Sequence, residues 1–355
     1  MQDVHIVRER LPLKPTLLLE NIEQRCIIKI LGKSSISYWG LLCMQVYIFW
    51  QEAEMEKVLI ITSSIDNTVD YIMNNYDGVA EFYRLDVDMF PKYEIVLGGS
   101  RQWVISCDEW SLEKKELHSI YYRKPRLPNL DEYSNAYKGM IAKDIISLIN
   151  GMVDDFQGRV LTKPYILRKT ENKAFQLLYA EKKGLFIPKS FVGNSNRRAK
   201  DFFNKKSIIK PLTTGKIMAG DVVELYHTSY LGASDEDISL TPVYFQEYIN
   251  KQYEVRMTYI DGCFFTVRID SEDKLDWRRN YRGLKYEIID CPPKISGQCK
   301  GLLKDFRLNY GAFDFIVDEN DRWCFLEINP NGQWLWLEHE LQMPISEKIV
   351  GYLVG

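Results

Sequence analysis

The chain has 355 residues, of which 46% are hydrophobic and 27% are charged, and its formal net charge is −3. This length and balance exclude a disordered or collagen-like chain and allow two or three packed units. The acidic net charge argues against a general nucleic-acid-binding protein, which normally has a basic face. The 7 cysteines are dispersed without a C-x-x-C pair, which favours reduced thiols in a cytoplasmic protein over a disulfide framework.

Residues 1–54 differ from the rest of the chain, because apolar and polar residues show no clear alternation there. Their strongly apolar stretch, 36–50, is shorter than the roughly 20 residues needed to span a bilayer, and no signal-peptide cleavage site follows it. We therefore expect neither a membrane span nor a signal peptide, and we expect the functional protein to begin at or near Met55. An extra helix packed on the first domain is the alternative for this segment.

An open α/β domain is predicted for residues 55–160. Residues 58–61 form an apolar run, polar residues follow, and residues 67–75 have a helical pattern, which together form the β–turn–α start of an α/β sheet. A long helical pattern covers residues 135–156. Further short apolar runs occupy residues 93–97, 103–106 and 119–122.

A second unit is predicted for residues 161–245. Residues 171–184 have a helical pattern that ends at a glycine and places Lys173 in its first turn. Residues 207–211, SIIKP, form an apolar strand that ends in Lys210 and Pro211. The two lysines either contact nucleotide phosphates or have a structural role, Lys173 as a solvated helix charge and Lys210 as an edge residue that reaches water.

A third unit is predicted for residues 246–355. The strand 243–249 either offers backbone groups to a purine edge or simply ends at the surface. A hairpin is predicted around the Asp261-Gly262 turn. On its first strand Glu254 and Arg256 share a face, where an arginine could clamp a transferring phosphoryl group. A surface ion pair between these two residues is the alternative.

A basic segment at residues 276–285 includes Arg278, Arg279 and Arg282. It could form a docking surface for an acidic peptide or for phosphates. A solvated loop is the alternative, because runs of charge often have no further role.

The segment 311–333 predicts a metal–phosphate site. Asp314 lies in one alternating apolar run, Glu327 and Asn329 lie in the next, and the polar stretch 318–321 between them is a turn signal. Two carboxylates and an amide oxygen would then converge on one face of a hairpin, an arrangement that suits magnesium held with nucleotide phosphates. A surface hairpin with solvated acids is the alternative.

The register of this hairpin depends on its loop. With a four-residue loop at 319–322, Asp318 is expected opposite Trp323 and Asp314 opposite Glu327. No P-loop and no G-x-G-x-x-G motif is present in the sequence, so a nucleotide would have to be held in another way.

The order of these motifs resembles the ATP-grasp superfamily. More closely, it is similar to the ATP-grasp maturases that install ester or amide rings in microviridin-type ribosomal peptides, also called graspetides. The resemblance covers residues 55–355 and rests on the segments YYRKPRLP, ENKAFQLLYAEKKGLFIPKSFVGN, SIIKP, QEYINKQYEVRMTYIDG, RIDSEDKLDWR and FDFIVDENDRWCFLEINPNGQW.

The resemblance implies an α/β (α+β) fold of the ATP-grasp type with an N-terminal open α/β domain. Residues 1–54 would be an extension outside the functional protein. The pre-ATP-grasp domain would be 55–160, the small lid subdomain 161–245, and the C-terminal subdomain with the magnesium site 246–355. The lid segment 211–220 is poorer in glycine than the family pattern.

Matching positions imply roles for single residues. ATP would be bound by Lys173, Lys210, Glu247, Tyr248, Ile249 and Glu254. Magnesium would be bound by Asp314, Glu327 and Asn329. Arg256 would be the catalytic residue that steadies the γ-phosphate and an acyl phosphate.

The implied activity is that of an ADP-forming ligase that activates Glu or Asp side chains of a ribosomal precursor peptide as acyl phosphates and crosslinks them by ester or amide bonds. ATP and magnesium would be its cofactors. Its partner would be a precursor peptide with leader and core, without nucleic acid or membrane, and a homodimer stays open. The alternatives are a ligase that joins free amino acids or tails a protein, and a non-catalytic peptide-binding scaffold.

Overall fold

The computed structural model describes residues 55–355 except 100–101, 214–215, 220–221, 226–227, 232–236 and 280–282. The predictions for residues 1–54, and for Thr214, Gly215 and Gly220 of the lid segment, lie outside the described residues. Met55–Gly355 form one compact unit. Within the described part of the chain, no helix has both the length and the apolarity that crossing a membrane requires.

The unit contains helices and strands in alternation. The helices are α1 (Asn67–Asn75), α2 (Asn135–Asp155), α3 (Pro164–Thr170), α4 (Lys173–Lys182), α5 (Asn196–Phe202), α6 (Pro293–Phe306), α7 (Leu335–Leu341) and α8 (Ile345–Val354). The strands are β1 (Lys57–Thr62), β2 (Glu81–Asp86), β3 (Glu94–Leu97), β4 (Trp103–Ser106), β5 (Ser111–Glu113), β6 (Ser119–Tyr122), β7 (Arg159–Leu161), β8 (Ser190–Gly193), β9 (Ser207–Lys210), β10 (Lys216–Ala219), β11 (Val222–Leu225), β12 (Ser229–Tyr230), β13 (Val243–Glu247), β14 (Lys251–Ile260), β15 (Cys263–Asp270), β16 (Lys285–Ile288), β17 (Tyr310–Asp318) and β18 (Trp323–Asn329).

A parallel sheet with the order β2-β1-β6-β7 begins the described chain. Alternate residues of its central strand β1 enter two cores: Val58 and Ile60 join the core beside α1, and Leu59 and Ile61 join the core beside α2. A strand that is covered on both faces needs a continuous apolar run rather than alternation. This explains the pattern that predicted the opening of an α/β domain.

A small antiparallel sheet, β3-β4-β5, accompanies the parallel one. Trp103, Ile105 and Leu112 from this sheet complete the core beside α2. The apolar runs predicted at 93–97 and 103–106 are therefore strands, but they form a sheet of their own.

The middle of the chain forms the sheet β12-β9-β13-β8. The strand β9 ends at Lys210, which lies opposite Tyr244 of β13. Before this sheet, α4 begins where the sequence predicted Lys173 to lie in a first turn, because the side chain of Asn172 accepts a hydrogen bond from the N–H of Phe175 at 3.0 Å. The helix ends before Gly184, whose φ of +74° is favourable for glycine.

An antiparallel sheet with the order β16-β15-β14-β17-β18 follows. One face packs against α6 in a core that includes Val255, Met257, Phe313 and Phe315. Glu254, Arg256 and Asp314 alternate with these apolar residues, so they point to the opposite face of the sheet.

The last two helices return to the first sheet. Trp334, Leu337 of α7 and Ile349 of α8 share a core with Val58 and Ile60 of β1. The loop between β18 and α7 is therefore held between the first sheet and the last one.

Candidate functional site

The predicted hairpin exists as β17 and β18, and its polar side chains converge. Asp314 lies opposite Glu327, and Asn329 lies opposite Ala312. The Nδ2 group of Asn329 donates to Oδ2 of Asp314 at 3.2 Å and to Oε1 of Glu327 at 3.5 Å. The three candidate magnesium ligands are thus neighbours on one face.

The turn of this hairpin differs from the predicted one. The N–H of Asp318 donates to the carbonyl of Arg322 at 3.1 Å. Oδ1 of Asp318 accepts from the N–H groups of Asn320 and Arg322 at 3.0 and 2.9 Å. These bonds enlarge the turn, so Val317 pairs with Trp323 and the predicted pairing of Asp318 with Trp323 is wrong.

A β-bulge in β18 compensates for the larger turn. Phe315 pairs with Phe325, whereas the next pair towards the site is Asp314 with Glu327, so Leu326 is the extra residue. The predicted opposition of Asp314 and Glu327 is confirmed. It results from the bulge at Leu326 and not from the predicted loop length.

Three cations surround the two carboxylates. Nη1 of Arg256 donates to both oxygens of Asp314 at 2.8 and 2.9 Å. Nζ of Lys173 lies 3.1 Å from Oε2 of Glu327, and Nη1 of Arg278 lies 3.8 Å from Oε1 of the same carboxylate. Solvated surface acids, the alternative for this hairpin, do not fit an arrangement in which the side chain of Glu327 is 14% exposed.

The two carboxyl groups differ in acidity. Burial disfavours the charged form of Glu327, but Lys173, Arg278 and Lys210 outweigh this effect and lower its pKa to about 2. Burial raises the pKa of Asp314 above its ordinary value, although Arg256 opposes the shift. Glu327 is therefore the more strongly anionic member of the pair.

Lys210 lies inside the cleft. Burial lowers its pKa to about 8, and its amine stands 5.0 Å from the ring centroid of Tyr244. The residue is half-buried and lines the cleft, as expected of a lysine that contacts phosphates.

Glu254 is buried and forms an ion pair with Lys251. Its pKa is raised to about 7, chiefly by burial, which Lys251 opposes. The alternative of a surface pair between Glu254 and Arg256 is wrong, because both side chains are buried and Arg256 pairs with Asp314. In the described structure Oε2 of Glu254 has no hydrogen-bond partner, so one acceptor remains for a ligand hydroxyl.

The residues predicted to line adenine lie at the end of β13 and just beyond it. The carboxylate of Glu247 pairs with Lys205 at 3.3 Å, and the N–H of Tyr248 donates to the carbonyl of Lys206 at 2.9 Å. Ile249 follows directly. Of this strand, Gln246 lines the cleft in the described residues, so the adenine assignment stays a prediction.

The predicted peptide-binding arginines are placed only in part. Arg278 lies at the cleft, where its Nε and Nη2 donate to Asp276 at 2.9 and 3.0 Å, and it also faces Glu327. Arg282 and the side chain of Arg279 lie outside the described residues.

The sequence did not point to Gln176, which joins α4 to the hairpin. Its side chain is buried, donates to the carbonyl of Ile328 at 2.8 Å and accepts from the N–H of Ile328 at 3.0 Å. Both bonds are made at Ile328, between Glu327 and Asn329, so they hold α4 against this part of β18. The only sequence signal was a polar residue among the apolar residues of a helix.

A cleft of about 1070 Å³, which is large enough for a nucleotide, is lined by Lys173, Lys210, Glu254, Arg278, Asp314, Glu327 and Asn329. Its walls come from α4, β9, β13 and the last sheet. Lining residues that the sequence did not single out include Arg168, Gln176 and Asp276.

No protein-family model matches the chain, and no curated protein matches it. Solved structures do. The macrocyclase MdnC of Microcystis aeruginosa MRC, bound with its precursor peptide MdnA, has 29% identity and a TM-score of 0.75, covering 84% of this chain and 99% of MdnC. A RiPP-associated ATP-grasp ligase of Chryseobacterium gregarium, in complex with ADP and a leader and core peptide, has 26% identity and a TM-score of 0.77, covering 84% of this chain and 96% of the ligase. The macrocyclase MdnB of Microcystis aeruginosa MRC has 26% identity and a TM-score of 0.71, covering 84% of this chain and 99% of MdnB.

The sheet order, the strand-borne carboxylates and these matches together define an ATP-grasp fold. Within that class the chain is similar to the ligases associated with ribosomal peptide maturation. The predicted fold and resemblance are therefore confirmed.

Proposed function

We propose that the protein is an ATP- and magnesium-dependent ligase that crosslinks a ribosomal precursor peptide through its Glu or Asp side chains. The observation that carries this proposal is the convergence of Asp314, Glu327 and Asn329, with Lys173 paired to Glu327 and Arg256 paired to Asp314. The likeness to MdnC and to the Chryseobacterium ligase supports a peptide as the substrate.

The donor chemistry of the site fits magnesium with a nucleotide. Asp314, Glu327 and Asn329 supply hard oxygen ligands, the amide of Asn329 by rotating its oxygen inwards. Phosphate oxygens would complete the coordination, and magnesium would neutralise charge on the transferring phosphoryl group. Lys173 and Lys210 would bind the phosphates, and the unpartnered oxygen of Glu254 would accept a ribose hydroxyl.

The first chemical step makes a poor electrophile reactive. A peptide carboxylate oxygen attacks the γ-phosphorus of ATP, the bond to the β,γ-bridging oxygen breaks, and an acyl phosphate and ADP form. Arg256 would bind the transferring group with its planar fork of donors.

The second step forms the crosslink. A Ser or Thr hydroxyl or a Lys amine attacks the acyl carbon, inorganic phosphate leaves, and the nucleophile loses its proton, which gives an ester or an amide. Holding both peptide groups in one cleft would contribute up to about 7–11 kcal/mol of the barrier reduction by orientation.

The test is mass spectrometry of a precursor peptide encoded beside this gene, after incubation with the protein, ATP and magnesium. Loss of one water per bond, dependent on ATP and absent with Glu327→Gln, is the expected result, and fragmentation would locate the bonds. An unchanged peptide together with ADP release stimulated by free amino acids would assign the protein to the amino-acid ligases instead. No ADP release with any acceptor would favour a non-catalytic scaffold.

A further inference from the structure

Arg123 is a fully buried arginine beside the first sheet, just after β6. Its Nε lies 3.1 Å from Oδ2 of Asp66, and its Nη2 donates to the hydroxyl of Thr68 at 3.0 Å. A buried guanidinium is costly unless it is paired and hydrogen-bonded. Nη1 also donates to the hydroxyl of Tyr121 at 3.4 Å, and these three contacts lie beside the first sheet.

A further contact of Arg123 connects the first sheet with the last one. Nη2 of Arg123 also donates to Oε1 of Gln333 at 2.5 Å, in the loop that follows the hairpin. The backbone carbonyl of the same Gln333 accepts from Nη2 of Arg256 at 3.2 Å. A continuous set of hydrogen bonds therefore runs from the first sheet to the guanidinium beside Asp314.

The loop is packed so closely that its position and that of Arg256 are linked. A Cβ atom on Gly332 would lie 2.7 Å from Cβ of Ala312 and 3.0 Å from Nη2 of Arg256. The hydroxyl of Tyr310 donates to the carbonyl of Gly332 at 2.8 Å. A shift of this loop would therefore move the donor atoms of Arg256.

Arg256 has few other anchors. Its Nε has no hydrogen-bond partner in the described structure, and its Nη groups contact Asp314 and the carbonyl of Gln333. When Asp314 serves as a magnesium ligand, as proposed, the carbonyl of Gln333 is the anchor that remains.

We propose that Arg123 is a positioning residue, which acts through Gln333 to hold the guanidinium of Arg256 in the orientation that phosphoryl transfer needs. This inference rests on the proposed ligase function. The guanidinium of Arg123 and the side-chain amide of Gln333 are both rigid planar groups. A displacement of about 1 Å at a reacting centre is enough to lower a rate up to about 100-fold.

The first test measures the kcat and KM of variants at Gln333, which is an exposed residue. Gln333→Ala is expected to lower kcat about tenfold while the KM for ATP stays within about twofold, because Arg256 acts on the transferring group rather than on ATP binding. Gln333→Glu keeps an acceptor oxygen for Arg123 and is expected to retain most of the activity. The matched control is Gln157→Ala, because Gln157 is an exposed glutamine whose Nε2 donates to the carbonyl of Asp155 at 2.7 Å, and its kcat is expected to be unchanged.

The second test is a double-mutant cycle with Arg123→Lys. If the two residues act through one contact, the double variant loses no more kcat than Arg123→Lys alone. Additive losses, an unchanged kcat in Gln333→Ala, or an equal loss in Gln157→Ala would overturn the inference. If thermal unfolding shows that Arg123→Lys does not fold, the comparison of Gln333→Ala with Gln157→Ala decides. Inactive wild-type protein would overturn the proposed function and this inference together, whereas an active wild type with a fully active Gln333→Ala overturns the inference alone.

Discussion

Neighbouring cations keep the buried side chain of Glu327 negatively charged. A buried carboxyl alone would have a raised pKa, but Lys173, Arg278 and Lys210 lower the pKa of Glu327 to about 2. The side chain is therefore anionic throughout the physiological pH range, as the proposed magnesium site requires.

Glu327→Gln is expected to lower ATP-dependent product formation about 100-fold or more, because the amide lacks the charge that the metal needs. Loss of even an outer-shell partner of a metal site costs about 10–100-fold. The measurement is the initial rate of ADP release with peptide present. Glu319→Gln is the matched control, because Glu319 is an exposed acid in the turn of the same hairpin. Equal rates for the two variants would remove Glu327 from the metal site.

Lys210 gives the site a dependence on pH. Burial lowers its pKa from 10.5 to about 8, so the ligand-free protein loses this positive charge as the pH rises through about 8. Phosphate groups favour the charged amine, so bound ATP should raise this pKa again. ATP binding is therefore expected to take up a proton above about pH 8, and ATP affinity is expected to fall as the pH rises further.

Calorimetry in buffers of different ionisation enthalpy would measure this proton uptake. Lys210→Met should bind ATP more weakly at neutral pH and should show no such uptake near pH 8.5. Wild-type affinity that is independent of pH, or proton uptake retained by Lys210→Met, would show that Lys210 does not contact the phosphates.

At the scale of elements, the loop after β18 is the tightest connection near the site. Gly332→Ala places a Cβ atom 2.7 Å from Cβ of Ala312 and 3.3 Å from Cβ of Asn329, so the loop must shift. Such overpacking typically destabilises by about 1–3 kcal/mol. A lower unfolding temperature together with a lower kcat is therefore expected, measured by thermal unfolding and steady-state rates.

Gly151→Ala is the matched glycine control. Gly151 lies within α2, and a Cβ atom there would meet nothing within 4 Å. Alanine in a helix interior stabilises by roughly 0.5–1 kcal/mol relative to glycine. Both substitutions raising the unfolding temperature would contradict the close packing at Gly332.

Elements with local signals could be predicted. The start of α4 follows from the cap at Asn172, the hairpin β14–β15 follows from Asp261-Gly262, and the strand β1 follows from its apolar run. The bulge at Leu326 could not be predicted, because it compensates for a turn whose geometry depends on the side chain of Asp318. The final pairing of Asp314 with Glu327 was predicted correctly from a register that was wrong near the turn.

At the scale of the whole molecule, the cleft lies where the middle and last sheets both contribute walls. Lys210 comes from one sheet and Asp314 from the other, so a ligand that binds both should stabilise the folded protein. A ligand at 100 times its Kd adds about 2.7 kcal/mol of stability.

Magnesium with ADP is therefore expected to raise the unfolding temperature, and EDTA is expected to reverse most of this shift. Magnesium alone should have little effect, because the described residues contain no group of three His, Cys, Asp or Glu side chains that could hold a metal ion. The measurement is thermal unfolding with each component added singly and together. An equal shift with magnesium alone would contradict a site that needs phosphate oxygens.

The sequence by itself determined the type of fold and predicted the candidate magnesium and phosphate residues, because alternation, turn residues and helix caps act over a few neighbouring positions. It also supported the resemblance to the ATP-grasp peptide maturases. Only the tertiary structure decided that Arg278 faces Glu327, that Gln176 clamps Ile328, and that Arg123 reaches Gln333. These contacts join residues that are far apart in the chain, and no local pattern specifies which distant partner a buried polar group will find.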